Sequence, residues 1–134
     1  MNKMQKQVQE FHEAFGITVG KFIGMRDADM RASLIREEAI ETLDAIEAGD
    51  MVESLDGLCD LIYVCLGTAV AWGIDLEPFF DEVHASNIAK QGGPMREDGK
   101  QLKPEGWKPP RIKELLDERL LAQDALHGVA GRIR

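Results

Sequence analysis

The chain has 134 residues, which is the usual size of one domain, and 44% of them are hydrophobic, which is enough for a packed core. Its net charge of −8 argues against a general DNA- or RNA-binding protein, because such proteins cluster Lys and Arg. The longest apolar run is interrupted by Asp60 and is shorter than the roughly 18 residues of a membrane span, and the polar N-terminus lacks the apolar block of a signal peptide.

These properties predict one domain, residues 1–134, that binds neither nucleic acid nor a membrane and resides in the cytoplasm. Cys59 and Cys65 lie in the same predicted helix, at a spacing that suits neither a disulfide nor a pair of metal ligands. We interpret both as thiols of the core in a reducing compartment.

Apolar side chains that recur at helical spacing predict three helices in the first half of the chain. A glycine follows each of them closely, and Asp50 is a suitable N-cap for the third. The predicted ranges are Lys3 to Phe15, Asp27 or Asp29 to Ala48, and Asp50 to Trp72.

Two further helices are predicted, from about Asp75 to Ser86 and from Pro110 or Arg111 to about residue 127, before a frayed tail at 128–134. The segment between them, 91–110, holds four glycines and four prolines, so we expect no regular element there. No convincing alternation with a period of two occurs, so no strand is expected. The predicted fold class is all-α, a helical bundle around a four-helix core with a long irregular C-terminal loop.

A cluster of carboxylates is predicted on the second helix, in the sequence REEAIE. Glu37, Glu38 and Glu41 are separated by three and four residues, so they share one face of the helix. Taken alone, this pattern is typical of a solvated acidic surface.

The third helix favours a different interpretation. Asp60 lies in an apolar run that predicts a buried helix, and a buried carboxylate needs a partner. The short turn at Gly49 predicts an antiparallel hairpin, in which Glu38 lies opposite Asp60, and Asp56 lies one turn before Asp60. Carboxylates that converge in this way select Mg²⁺ or Mn²⁺, while the alternative is a polar patch with a protonated Asp60.

The chain also contains a cationic segment, from Lys90 to Lys113, within its otherwise acidic sequence. This segment carries seven basic residues and three acidic ones. It could bind a small polyanion if the carboxylates elsewhere hold cations.

These motifs resemble the all-α nucleoside triphosphate pyrophosphatase superfamily, which includes the MazG proteins, the dimeric dUTPases and phosphoribosyl-ATP pyrophosphohydrolase. EExxE matches the family's first motif and CDLIYV matches the segment around its aspartate, here Asp60. The glutamate expected three residues before Asp60 is replaced by Gly57, and the alternative alignment, Glu53 to Asp56, excludes Asp60. The hairpin register favours Asp60, with Asp56 in place of the missing glutamate.

The resemblance covers residues 8–116 and extends to the C-terminal part of phage and bacterial MazG-like proteins. It implies that Asn87, Lys90, Lys103 and Trp107 flank the triphosphate. It also implies a reaction in which water attacks the α-phosphorus of a nucleoside triphosphate and releases pyrophosphate. The expected substrates are dGTP, GTP or dUTP, within control of the nucleotide pool.

The resemblance implies that two or more Mg²⁺ or Mn²⁺ ions are bound by Glu37, Glu38, Glu41 and Asp60, and the hairpin register adds Asp56 as a fifth carboxylate. Glu37 or Glu38 is expected to orient or deprotonate the water. The alternatives are a nucleotide-sensing module that has lost catalysis and a helical interaction protein whose EExxE lies only on its surface.

The candidates for the base pocket are Phe11, His12 and Trp107. We favour core packing for Phe11 and Phe15, because they recur at helical spacing. His12 is expected to lie at the surface or to touch substrate. Trp107 lies in the irregular segment, where core packing explains it less well.

The third helix carries more apolar surface than a small four-helix unit can cover, at Leu55, Leu58, Ile62 and further positions. We therefore expect a symmetric homodimer, or a tetramer built from dimers.

Overall fold

The computed structural model describes residues 1–133, and for 128–133 it describes the backbone alone. Its helices are α1 (Lys3–Phe15), α2 (Ala28–Glu47), α3 (Met51–Ala71), α4 (Glu77–Ile88) and α5 (Ile112–Ile133). Within residues 1–133 there is no strand, only an isolated bridge between Met95 and Gln101. The all-α prediction is confirmed. The predicted tail, 128–134, lies outside the residues whose side chains are described.

The helix ends follow local capping chemistry. The side chain of Asn2 accepts a hydrogen bond from the Gln5 backbone at 2.8 Å, and that of Asp50 accepts one from the Glu53 backbone at 3.1 Å. At the other end of α1, Gly16 adopts a left-handed conformation with φ of 66°, which is a common way for a helix to stop.

The chain divides into two compact units, unit 1 (Met1–Leu76) and unit 2 (Glu77–Arg134). Unit 1 contains α1, α2 and α3, with α3 packed against both of the others. Unit 2 contains α4, the irregular segment and α5. The interpretation of residues 1–134 as one domain stays a prediction.

The core of unit 1 lies between α1 and the C-terminal half of α3. Val8, Leu66 and Val70 form its buried centre, and Val19 and Leu76 pack against them. These side chains leave water together, which is the main favourable term in folding.

A buried glutamine links α1 by hydrogen bonds to the segment that follows α3. Gln5 donates a hydrogen bond to the Ile74 carbonyl at 2.7 Å and accepts one from the Leu76 backbone at 3.0 Å. Its side-chain amide therefore has both a donor and an acceptor partner, as a fully buried amide requires.

Within one chain, the interpretation of α3 as a buried helix holds only for its C-terminal half. Residues 66–71 are buried, but Leu58 and Ile62 are 44% and 47% exposed. The reason is tertiary, because the core cluster of unit 1 forms only around the C-terminal half of α3.

The length and composition of α3 would also allow a membrane span, and 39% of that stretch is buried. This is weak evidence for a membrane, because the core helix of a water-soluble protein has the same properties.

Candidate functional site

The turn between α2 and α3 folds the two helices back on each other. Gly49 adopts a left-handed conformation with φ of 70°, and its backbone donates to the Ile46 carbonyl at 3.0 Å. The Asp50 backbone donates to the Ala45 carbonyl at 3.0 Å. This tight turn fixes where each residue of α2 meets α3.

Glu38 is the central carboxylate of this helix pair. Its Oε2 atom is buried and has no hydrogen-bond partner, and it is the one such side-chain oxygen or nitrogen found among the described residues. Burial raises the pKa of the Glu38 carboxyl, and the nearby charges of Glu41, Asp60 and Glu37 raise it further. The structure thus brings Asp60 of α3 to the glutamates of α2.

This arrangement fits a bound divalent cation. A buried carboxylate oxygen without a partner, in a group that neighbouring carboxylates repel, is unfavourable unless a positive charge compensates it. A set made only of carboxylate oxygens is suited to Mg²⁺ or Mn²⁺. Among the described side chains, no three potential ligands lie close enough to form a complete metal centre as they stand.

The other predicted ligands differ in exposure. Glu37, Glu41 and Asp56 are exposed, and Asp60 is half-buried. Asp56 is not among the groups that raise the pKa of Glu38. The ligand roles of all five carboxylates stay predictions.

The prediction that Phe11 and Phe15 pack in the core is wrong, because they are 38% and 70% exposed. The Phe11 ring lies 4.6 Å from that of Phe15 and 5.6 Å from that of Tyr63, between ring centres. Sequence reasoning missed Tyr63, although it lies three residues after Asp60 and therefore one turn along α3. These three rings form an aromatic surface on unit 1.

The expectation that His12 lies at the surface is also wrong, because its side chain is only 3% exposed. Its Nδ1 atom lies 2.7 Å from the Thr18 carbonyl, so Nδ1 carries the proton and donates it there. His12 thus holds the chain that follows α1, and its ring is not presented to solvent.

The interpretation of both cysteines as core thiols is wrong for Cys59, which is exposed, while Cys65 is half-buried. Burial raises the pKa of the Cys65 thiol, and the charge of Arg31 partly opposes this.

Unit 2 gathers the predicted phosphate-binding residues around Trp107. The Trp107 indole donates a hydrogen bond to the Ser86 carbonyl at 2.8 Å. The Lys103 and Lys90 ammonium groups lie 4.6 Å and 5.5 Å from its ring centre, within range of a cation–π contact. Lys90 also donates to the Asn87 side chain at 2.9 Å. Two cations therefore lie beside one ring.

The family model for phosphoribosyl-ATP pyrophosphohydrolase matches residues 8–87, which run from within α1 through α2 and α3 to most of α4. The chain belongs to this family. The family is part of the MazG-like all-α nucleoside triphosphate pyrophosphatase superfamily, so the predicted resemblance is confirmed.

Family membership supports a hydrolase of the nucleotide pyrophosphohydrolase type, and such enzymes are typically metal-dependent. A search of the curated proteins finds no match.

The raised pKa of Glu38 predicts how the metal-free protein responds to pH. The folded chain holds the Glu38 proton more tightly than the unfolded chain, whose carboxyl has the ordinary value of 4.5. Ionisation of Glu38 therefore lowers the free energy of unfolding as the pH rises from about 4.5 through the raised pKa. Glu38→Gln should stabilise the protein at neutral and higher pH, and the gain should shrink as the pH falls below the raised pKa. Urea unfolding in EDTA at a series of pH values measures this.

The matched control is Glu10→Gln, which removes an exposed carboxylate from α1. A gain for Glu38→Gln that stays constant with pH, or that matches the control, would contradict the assignment of Glu38 as a repelled, buried carboxylate.

Proposed function

We propose that this protein is a nucleoside triphosphate pyrophosphohydrolase that depends on Mg²⁺ or Mn²⁺, with two or more ions per site. It would convert a (d)NTP and water to the (d)NMP and pyrophosphate by attack on the α-phosphorus. The observation that carries the proposal is the buried Oε2 atom of Glu38, which has no hydrogen-bond partner and belongs to a carboxyl whose pKa is raised by the charges of Glu41, Asp60 and Glu37. Membership of the phosphoribosyl-ATP pyrophosphohydrolase family supports the same reaction class.

The residues that would hold the cations are the carboxylates of α2 and α3. Glu38 and Asp60 come from different helices, so the ligand set depends on the packed hairpin and does not exist in either helix alone. A bound divalent cation would supply charge neutralisation at the phosphates and would lower the pKa of a bound water.

A carboxylate of α2 is proposed to orient the water and accept its proton. The candidates are Glu37, which is exposed, and Glu38, whose pKa is raised. An exposed carboxylate at the edge of a cluster can reach water, and a carboxylate with a raised pKa is a stronger base.

The proposed substrates are dGTP, GTP or dUTP. The aromatic surface of Phe11, Phe15 and Tyr63 lies on α1 and α3, and Tyr63 follows Asp60 by one helical turn, so this surface is suited to stacking on a base. The family description adds phosphoribosyl-ATP as a further candidate.

The proposal predicts pyrophosphate release from at least one nucleotide. The test incubates the protein with each (d)NTP and with phosphoribosyl-ATP, in Mg²⁺ or Mn²⁺, and measures pyrophosphate. Glu38→Gln and Asp60→Asn should each lower kcat/KM by at least about 100-fold, because each removes a proposed ligand. Glu10→Gln should leave the activity unchanged.

Nucleotide binding without pyrophosphate release would favour a sensing module. If neither binding nor release occurs, and Glu38→Gln leaves metal affinity unaltered, the protein is a helical interaction protein and the enzyme proposal fails.

Unit 2 is proposed to bind phosphate groups through Lys90 and Lys103, with Asn87 holding the Lys90 ammonium. The support is the cluster around Trp107, in which two ammonium groups lie within 5.5 Å of one ring centre. Charge-assisted contacts with phosphate oxygens are stronger than neutral hydrogen bonds.

Lys103→Met and Lys90→Met should each raise KM for the nucleotide about tenfold, because each removes one charged contact. The control is Lys108→Met, an exposed lysine of the same segment. Steady-state kinetics at two salt concentrations measure this effect, and equal KM values for all three variants would contradict it.

A homodimer, or a tetramer of dimers, is proposed from an apolar stripe on α3. Its members recur at helical spacing and remain 44–71% exposed: Met51, Leu55, Leu58 and Ile62. An exposed apolar stripe of this kind is typical of a protein–protein interface.

Leu55→Glu places a charge in the middle of this stripe and should convert the oligomer to a monomer. Light scattering measures the mass, and Gln7→Glu, on exposed surface of α1, is the control. A wild-type mass equal to the 14.9 kDa of one chain would contradict the proposal.

A further inference from the structure

Two close contacts join α2 to α3, one on each side of Glu38. The first is made by Arg31, which is only 4% exposed. Its Nε atom donates to the Thr68 hydroxyl at 3.1 Å, and its Nη2 atom donates to the Val64 carbonyl at 2.9 Å. A buried guanidinium that donates from two separate atoms fixes both the spacing and the register of the two helices.

A glycine makes room for this guanidinium. A Cβ atom at Gly67 would lie 2.5 Å from Arg31 Nη2, which is closer than real contacts allow, and 3.0 Å from His12 Nε2, which is tighter than most. The Arg31 side chain therefore lies against the bare backbone of α3.

The second contact lies on the other side of the carboxylates, between Thr42 and Gly57. A Cβ atom at Gly57 would lie 2.6 Å from the Thr42 hydroxyl oxygen and 3.0 Å from the Thr42 Cα. That hydroxyl is held in place because it donates to the Glu38 carbonyl at 2.6 Å. The two helix backbones therefore meet here at a distance that only glycine permits.

The two contacts and the carboxylates between them occur in matching order along α2 and α3. Arg31, Glu38 and Thr42 follow one another along α2, at separations of seven and four residues that keep them on one face. On α3 the corresponding order is reversed: Thr68, then Asp60, then Gly57. Glu38 and Asp60 thus lie between two fixed points.

We propose that Arg31 and Gly57 are positioning residues that hold Glu38 of α2 opposite Asp60 of α3. The inference rests on the proposed function, in which these carboxylates bind the cation. Neither residue touches the cation or substrate. Each acts by preventing α2 from sliding on, or separating from, α3.

Gly57 has two possible interpretations: a position where a metal-binding glutamate has been lost, or a position where helix packing requires glycine. A glutamate at this position would restore the E-x-x-D spacing before Asp60, but its Cβ would collide with the Thr42 backbone and hydroxyl. Gly57 is therefore required by the close approach of the helices. The two interpretations predict opposite effects of Gly57→Glu on metal affinity.

The experiment measures the dissociation constant of Mn²⁺ by electron paramagnetic resonance, on folded protein well below its melting temperature. Gly57→Ala and Arg31→Lys should each weaken Mn²⁺ binding at least about tenfold, as substitutions of residues that orient metal ligands commonly do. Gly57→Glu should also weaken it. Thr42→Ala added to Gly57→Ala removes the nearest clashing atom and should restore part of the affinity.

A stability control separates positioning from general destabilisation. Val8→Ala opens a cavity in the core between α1 and α3 and lowers the melting temperature, but it should leave Mn²⁺ affinity unchanged. If Gly57→Ala fails to fold, Arg31→Lys still tests the proposal, and the Gly57→Ala/Thr42→Ala pair should bind Mn²⁺ more weakly than the wild type.

The outcomes distinguish this inference from the proposed function. A wild-type protein without Glu38-dependent Mn²⁺ binding overturns the proposed function, and this inference with it. Wild-type binding that Arg31→Lys and Gly57→Ala leave intact, or that Gly57→Glu strengthens, overturns this inference alone. A loss of Mn²⁺ affinity that is proportional to the fall in melting temperature across all the variants, Val8→Ala included, also overturns it.

Discussion

The packing of α2 against α3 is the constraint on which the candidate site depends. It buries the Oε2 atom of Glu38 without a partner and brings the charge of Asp60 to it from the other helix. A buried carboxylate oxygen without a hydrogen-bond partner is unfavourable, because its desolvation is not compensated. Its presence here, at the meeting point of two helices, is typical of a site that is completed by a bound cation.

The same packing explains unusual residues of both helices. Glycine inside a helix destabilises it by roughly 1 kcal/mol relative to alanine, yet α3 has Gly57 and Gly67 in its interior. Each lies where a side chain of α2 approaches the α3 backbone, Thr42 in one case and Arg31 in the other. The cost to the isolated helix is offset by the close contact in the folded protein.

Unit 2 is organised differently, because none of its side chains described, in residues 77–127, is fully buried and it contains a long irregular segment. Trp107 is fixed by its hydrogen bond to the Ser86 carbonyl, and Lys90 and Lys103 lie beside its ring. The indole can hold two ammonium groups near each other without neutralising either, so their charge remains available to an anion.

The sequence by itself determined the five helices, the turn at Gly49 and the grouping of Glu37, Glu38 and Glu41 on one face, because these follow from local periodicity and capping. It also gave the register that sets Glu38 against Asp60, since a short turn leaves little freedom in a hairpin. Only the tertiary structure decided that His12 is buried while Phe15 and Cys59 are exposed, because burial depends on which neighbouring helix covers a face. The same holds for the close contacts of Gly57 and Arg31, because they are distances between two helices that no pattern along one chain records.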